Sequence, residues 1–164
     1  GTYTSPLYEI GVTQAATLTS TTGTAGATAY TPLTLALGTA MDFGTIASGS
    51  NVTAVSVDAF GSVTAPAGAG NAVVTIAAGA ALTFDRQGAN GLTYNLNIVD
   101  GSLDDGGAGA AMAVTITGDD RPAVLDGTVQ TVTVTADLTV GANQVAANYS
   151  TTFGTPIVIT VNYN

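Results

Sequence analysis

The chain has 164 residues, 46 % hydrophobic and only 8 % charged, with a net charge of −9. That length supports one domain with a real core, and the charge content lies far below the usual quarter or so. With Arg86 and Arg121 as the only cations and no His, Cys or Lys, the composition argues against nucleic acid, zinc sites and the usual general-base, thiol and amine catalysts.

Residues 1–6, GTYTSP, read as loose. From there Tyr8, Ile10, Val12, Gln14, Ala16 and Leu18 alternate with Glu9, Gly11, Thr13, Ala15, Thr17 and Thr19. One face is mostly apolar and the other mostly polar, which predicts a half-buried strand over 7–19. Residues 20–32 are rich in Ser, Thr, Gly and Ala and end in Pro32, the composition of a flexible connector. The expected organisation is an N-terminal strand segment over 1–20, a linker over 21–32 and a β-domain over 33–164. The first residue is Gly1 rather than Met, which suggests that a secretion signal has been removed.

The domain opens with Leu33, Leu35 and Leu37 in inward alternation, and Met41, Phe43 and Ile46 continue an apolar line. Val55 and Val57 share a face, a turn follows over 58–61, and Val63 resumes the strand pattern. Strands are expected at Val73–Ile76 and Leu82–Phe84, with RQGANG as a loop. Leu92, Tyr94, Leu96 and Ile98 alternate cleanly. GSLDDGGAGA is a loop, AMAVTIT a strand and GDDRPAVLDG another loop. Val132, Val134, Ala136, Leu138 and Val140 form a long alternation, and a turn region with Tyr149 leads to a last strand in which Ile157, Ile159, Val161 and Tyr163 share one face. Many short β-branched strands between turn signals predict an all-β sandwich. No apolar run is long enough to cross a bilayer, so no membrane span is expected.

Two sets of residues carry resemblances. Ile157, Ile159 and Val161 followed by the penultimate Tyr163 resemble the C-terminal signature of pilins assembled by the chaperone–usher route. That resemblance implies an incomplete immunoglobulin-like β-sandwich with an N-terminal donor-strand extension. It also implies that the last strand borders a groove, first capped by a periplasmic chaperone at an outer-membrane usher. Gly154 lies nearer the end than that family's glycine, and the disulfide of many classical pilins is absent. MDFGTIASGS, taken with GANQVAANYSTTF and the ITVNYN end, is similar to a family of secreted bacterial β-domains of largely unassigned function. That likeness covers most of 33–164, with Met41 in place of the usual Leu. In its motif Asp42 can satisfy turn amides, Phe43 packs inward and Gly44 permits the turn.

On these grounds the expected role is the major structural subunit of an extracellular bacterial filament. Identical subunits would form a homopolymer, each inserting Tyr8, Ile10, Val12, Ala16 and Leu18 into its neighbour's groove beside Ile157, Ile159, Val161 and Tyr163. Burying about five such side chains gives a gross gain on the order of 10 kcal/mol before ordering costs. No catalytic residue, metal or cofactor is expected. The acidic pairs Asp104–Asp105 and Asp119–Asp120, with Asp100 and Asp126 nearby, match no calcium-loop spacing and read as solvated loop carboxylates. A glycosidase would have to find its carboxylate pair among them. Asn51 and Asn148 begin N-glycosylation patterns. Two other roles remain open: a secreted surface or matrix β-domain whose first strand folds back on its own molecule, and an adhesive or carbohydrate-binding module. The latter needs exposed aromatic platforms, whereas Trp is absent and the Tyr and Phe residues mostly fall on inward positions.

Overall fold

A computed structural model describes residues 2–14, 17–76 and 79–164. They form thirteen strands and no helix. In chain order these are β1 (Thr2–Gln14), β2 (Thr17–Thr28), β3 (Thr34–Leu37), β4 (Thr45–Ala47), β5 (Thr53–Val57), β6 (Val63–Thr64) and β7 (Val73–Ile76). They continue with β8 (Leu82–Gln87), β9 (Tyr94–Val99), β10 (Gly101–Leu103), β11 (Met112–Asp119), β12 (Gln130–Val140) and β13 (Val158–Tyr163). The chain divides into two compact units, Gly1–Pro32 and Leu33–Asn164.

The first unit is an antiparallel ribbon in which Tyr8 lies opposite Gly23, Ile10 opposite Thr21 and Val12 opposite Thr19. This corrects two expectations. The strand predicted over 7–19 divides between β1 and β2, and the connector predicted over 21–32 is strand as far as Thr28. A lone strand leaves every backbone N–H and C=O without a protein partner, and folding back pairs them. The Thr-rich second arm has the β-branched side chains that suit a ladder.

The second unit is an all-β, immunoglobulin-like sandwich. Its spine is β12. One edge of β12 pairs with β11; the other edge is shared, with Gln130–Val134 against β8 and Ala136–Val140 against β5. β10, β6 and β3 extend this to a seven-stranded sheet. Val132, Val134, Ala136, Leu138 and Val140 are all buried, as their alternation predicted. Two ribbons, β9–β13 and β4–β7, cover the sheet. Tyr94 and Leu96 of β9 pack with Leu82, Phe84, Val132 and Val134. Phe43, Ile46 and Val74 pack with Val55, Val57, Leu138 and Val140. Each ribbon therefore closes one end of a continuous apolar interior.

Several details differ from the sequence reading: Gly101–Leu103, expected in a loop, is strand β10. Arg86 and Gln87 belong to β8 rather than to a loop, and Arg86 is buried. Leu33 packs against the core, but Leu35 and Leu37 are 39 % and 68 % exposed. Their alternation is that of a covered strand, yet among the described residues of the sandwich that end of β3 stays exposed.

Candidate functional site

The space between the two ribbons is a groove of about 660 Å³. Its floor is the apolar face of the large sheet, including Leu82, Val114, Leu138 and Val140. Segment 40–48, with β4, lines it together with Leu37. Pro156, Ile157 and Ile159 contribute from the start of β13, and residues 144–151 line it as well. Leu82 is the cross-strand partner of Val134. The floor thus follows β12 from Val134 to Val140, roughly 20 Å at the usual strand rise.

The backbone around the groove is as informative as its lining. Among the described residues, β13 pairs only with β9 and β4 pairs only with β7. Two strand edges with unused ladder positions therefore flank an apolar slot. An added strand can pair with such edges while its alternate side chains fill the floor.

Local chemistry holds each wall in place. On the β4 side, the Asp42 carboxylate accepts a 2.8 Å hydrogen bond from the Gly44 amide, and Asp42 and Ala80 exchange backbone hydrogen bonds. Gly44 has φ +66°, a conformation that L side chains disfavour. Phe43 between them is only 5 % exposed. The roles read from the D-F-G segment are those the structure shows. On the β13 side, Ile157 and Ile159 line the groove, whereas Val161 and Tyr163 pack in the core cluster beyond it. The Tyr163 hydroxyl accepts a 2.7 Å hydrogen bond from the Ala89 amide.

Of the N-terminal residues expected to act with them, Tyr8, Ile10 and Val12 lie in β1, and Leu18 lies in β2 opposite Thr13. Ala16 lies outside the described residues. The sequence reading singled out Gln144–Thr151 only within the GANQVAANYSTTF resemblance and as a turn region with Tyr149, not as a groove wall, because it has no periodicity to mark it. It also placed Leu37 in a covered core position rather than in a groove.

Asp42 is the one charged side chain among the described groove-lining residues. The acidic pairs lie elsewhere and act as caps on backbone amides. Asp105 accepts from Gly107 and Gly109, Asp104 from Gly106, Asp120 from Thr133 and Asp126 from Thr128. The Gly107 amide, followed by that of Gly109, holds the Asp105 carboxyl below its ordinary value. The Thr128 hydroxyl and amide do the same for Asp126. No group of three or more acidic, His or Cys side chains is placed to hold a metal among the described residues. The Asn51 side-chain amide donates to Ala69 and Asn71, so a sugar on its nitrogen, which leaves a single N–H, would remove at least one of the two contacts.

Residues 33–163 match the family model of a domain of unknown function, DUF4402. The chain belongs to that family. The DUF4402 match begins at Leu33, where the second compact unit begins, and does not extend over the β1–β2 ribbon. No curated protein and no solved structure matches the chain.

Proposed function

We propose that this protein is a structural subunit of an extracellular filament, joined to its neighbour by a strand of one copy inserted into the groove of the next. The observation that supports this is the apolar slot flanked by β4 and β13, which among the described residues each form a ladder with one ribbon partner alone. Its volume would also suit a small apolar ligand. Its flanks instead offer backbone ladder positions, which only an extended chain uses in full. β1 is the occupant with the right pattern. Tyr8, Ile10 and Val12 alternate with Glu9, Gly11 and Thr13, and the seven residues from Tyr8 to Gln14 suit a floor of roughly 20 Å. A two-stranded ribbon is marginal by itself in water, so β1 can exchange its β2 partner for two flanking edges and a core. The contact joins two different surfaces and need not close, so it propagates. During secretion, a chaperone strand would occupy the same slot.

The test is concentration-dependent assembly of the full chain, followed by sedimentation and electron microscopy. Filaments are expected, and Ile159→Asp, which sets a charge in the groove, should abolish them. A full chain that stays monomeric at high concentration refutes the reading.

A second reading rests on a different observation. Phe60 is 97 % exposed at the tip between β5 and β6, and Phe153 is 61 % exposed. They are exceptions to the inward placement expected of the aromatics, which Phe43, Phe84 and Tyr94 follow. The Phe60 tip is built firmly: the Asp58 carboxylate accepts from the amides of Phe60 and Ser62, and Gly61 takes φ +77°. Such an aromatic is what an adhesive or sugar-binding surface uses. Loss of glycan-array binding in Phe60→Ala would support that role, and no binding by the unaltered chain would remove it.

A further inference from the structure

The β12–β13 loop forms part of the groove, yet a strand ladder has no need of it. Residues 144–151 line one end of the slot. That end lies beyond Val140, where β12 ends and the loop begins, and Leu37 at the other extreme pairs with Phe84, two residues past Leu82. The loop is pinned from several directions. The Asn143 amide donates to the Gly49 carbonyl at 2.7 Å, and the Ser48 hydroxyl donates to the Gln144 carbonyl at 2.9 Å. Both bonds tie it to the segment just after β4. The Gln144 side-chain amide donates to the Ala110 carbonyl and, at 2.9 Å, to the Tyr149 hydroxyl. That hydroxyl in turn donates to the Val145 carbonyl. Ser150 and Asp104 exchange backbone hydrogen bonds. Asn143 adopts φ +52°, the one non-glycine residue with positive φ among those described. A loop fixed by so many contacts holds a turn that it would not adopt by local preference alone.

We propose that this loop is an end stop that sets the register of the strand occupying the groove. The inference rests on the strand-exchange reading above. Without a stop, an alternating strand such as β1 has several acceptable registers. A slip of one residue turns its apolar face outward, but a slip of two restores the pattern. Ladder hydrogen bonds do not distinguish these registers. A rigid wall at one end does, because a strand slipped by two residues, about 7 Å, either collides with it or leaves the slot unfilled beside it. Gln144 and Tyr149 are positioning residues in this scheme. They hold the wall and need not bond to the inserted strand. The exposed Leu37 marks the open end, where the occupant continues outward. For a filament, one register means one spacing between subunits.

The chain has no cysteine of its own, so register can be read by disulfide trapping in the full-length protein. Thr160→Cys, on an exposed position of β13, is combined in turn with Glu9→Cys, Gly11→Cys or Thr13→Cys, the positions that alternate with Tyr8, Ile10 and Val12 in the sequence of β1. Intermolecular cross-links are then resolved on non-reducing gels. With the native loop, one of the three pairs should dominate its neighbours by about fivefold or more, the factor worth a single net hydrogen bond. In Gln144→Ala, and separately in the milder Tyr149→Phe, the yield should spread to the pair two residues away. Thermal melting confirms that each variant is folded. A preference that stays unchanged in a folded variant overturns the end stop and leaves strand exchange standing. No intermolecular cross-link with any pair in the native loop overturns strand exchange itself, and the end stop with it.

Discussion

The Tyr163 hydroxyl accepts the amide hydrogen of Ala89 at 2.7 Å, tying the end of β13 to the turn between β8 and β9. A Cβ on Gly88 would lie 2.6 Å from that oxygen and 2.7 Å from a Leu125 methyl. The residue before Ala89 must therefore be small for the bond to form. β13 is thus anchored at its far end, and among the described residues its one ladder is with β9. Tyr163→Phe should cost about 1–3 kcal/mol, since it leaves the Ala89 amide without its partner. Urea unfolding reads this directly. Gly88→Ala should cost at least as much, because the three side chains it meets, Tyr163, Leu125 and Leu33, are packed around it.

Leu37 tests whether the groove has a purpose beyond folding. It is 68 % exposed and lines the slot. Leu37→Ser should change stability by no more than about 0.5 kcal/mol, as surface substitutions usually do. The same change should weaken assembly, because an inserted strand would cover the side chain. Unfolding midpoints and sedimentation of the same sample separate the two effects. Equal assembly by wild type and variant would leave this leucine an idle apolar residue.

Arg86 is 1 % exposed with its guanidinium 3.9 Å from the centre of the Tyr94 ring. It donates to the Pro122 carbonyl at 3.2 Å, but its Nε and one terminal nitrogen have no partner, nor does the Gln130 side-chain oxygen. The Tyr94 hydroxyl also donates to Pro122, so that carbonyl does not depend on Arg86. Buried cations of this kind are often replaced at no loss by apolar side chains of similar volume. Arg86→Met should be neutral or stabilising, whereas Arg86→Ala should destabilise by about 2–5 kcal/mol through the cavity it leaves. Thermal melts of the two variants decide the matter by their opposite directions.

Which parts of this architecture were legible in the sequence follows from which forces are local. The alternation from Val132 to Val140 needs one buried face and nothing else, and it reads correctly. So does the Asp42–Gly44 turn, whose hydrogen bond spans two residues. The β1–β2 ribbon was missed because a Thr, Ser and Gly-rich arm has the composition of a linker. Only pairing with a distant strand makes it regular. Leu35 and Leu37 were misplaced for the opposite reason: their pattern is that of a covered strand, but the cover is lacking. The groove itself has no local signature. It arises because β9–β13 and β4–β7 pair internally and leave a gap between them, a property of topology rather than of any segment.

Titration should leave the fold indifferent to pH over a wide range and sensitive at both extremes. No His or Cys is present, so no side chain with an ordinary value changes charge between about pH 5 and pH 9. Stability and assembly should be flat there. Hydrogen bonds hold Asp105 and Asp126 below their ordinary 3.8 in the folded chain. Their contribution is therefore present above 3.8 and is lost as pH falls through the lower folded values. Asp105→Asn together with Asp126→Asn should flatten that acid limb. Burial raises Tyr94 above its ordinary 10.0. Its contribution is whole below 10 and disappears as pH rises through the folded value, because the unfolded chain then releases the proton first. Tyr94→Phe should remove part of the alkaline limb and leave the acid limb untouched. Urea midpoints measured across the range test both halves, and a slope near pH 7 in the wild type would contradict the whole assignment.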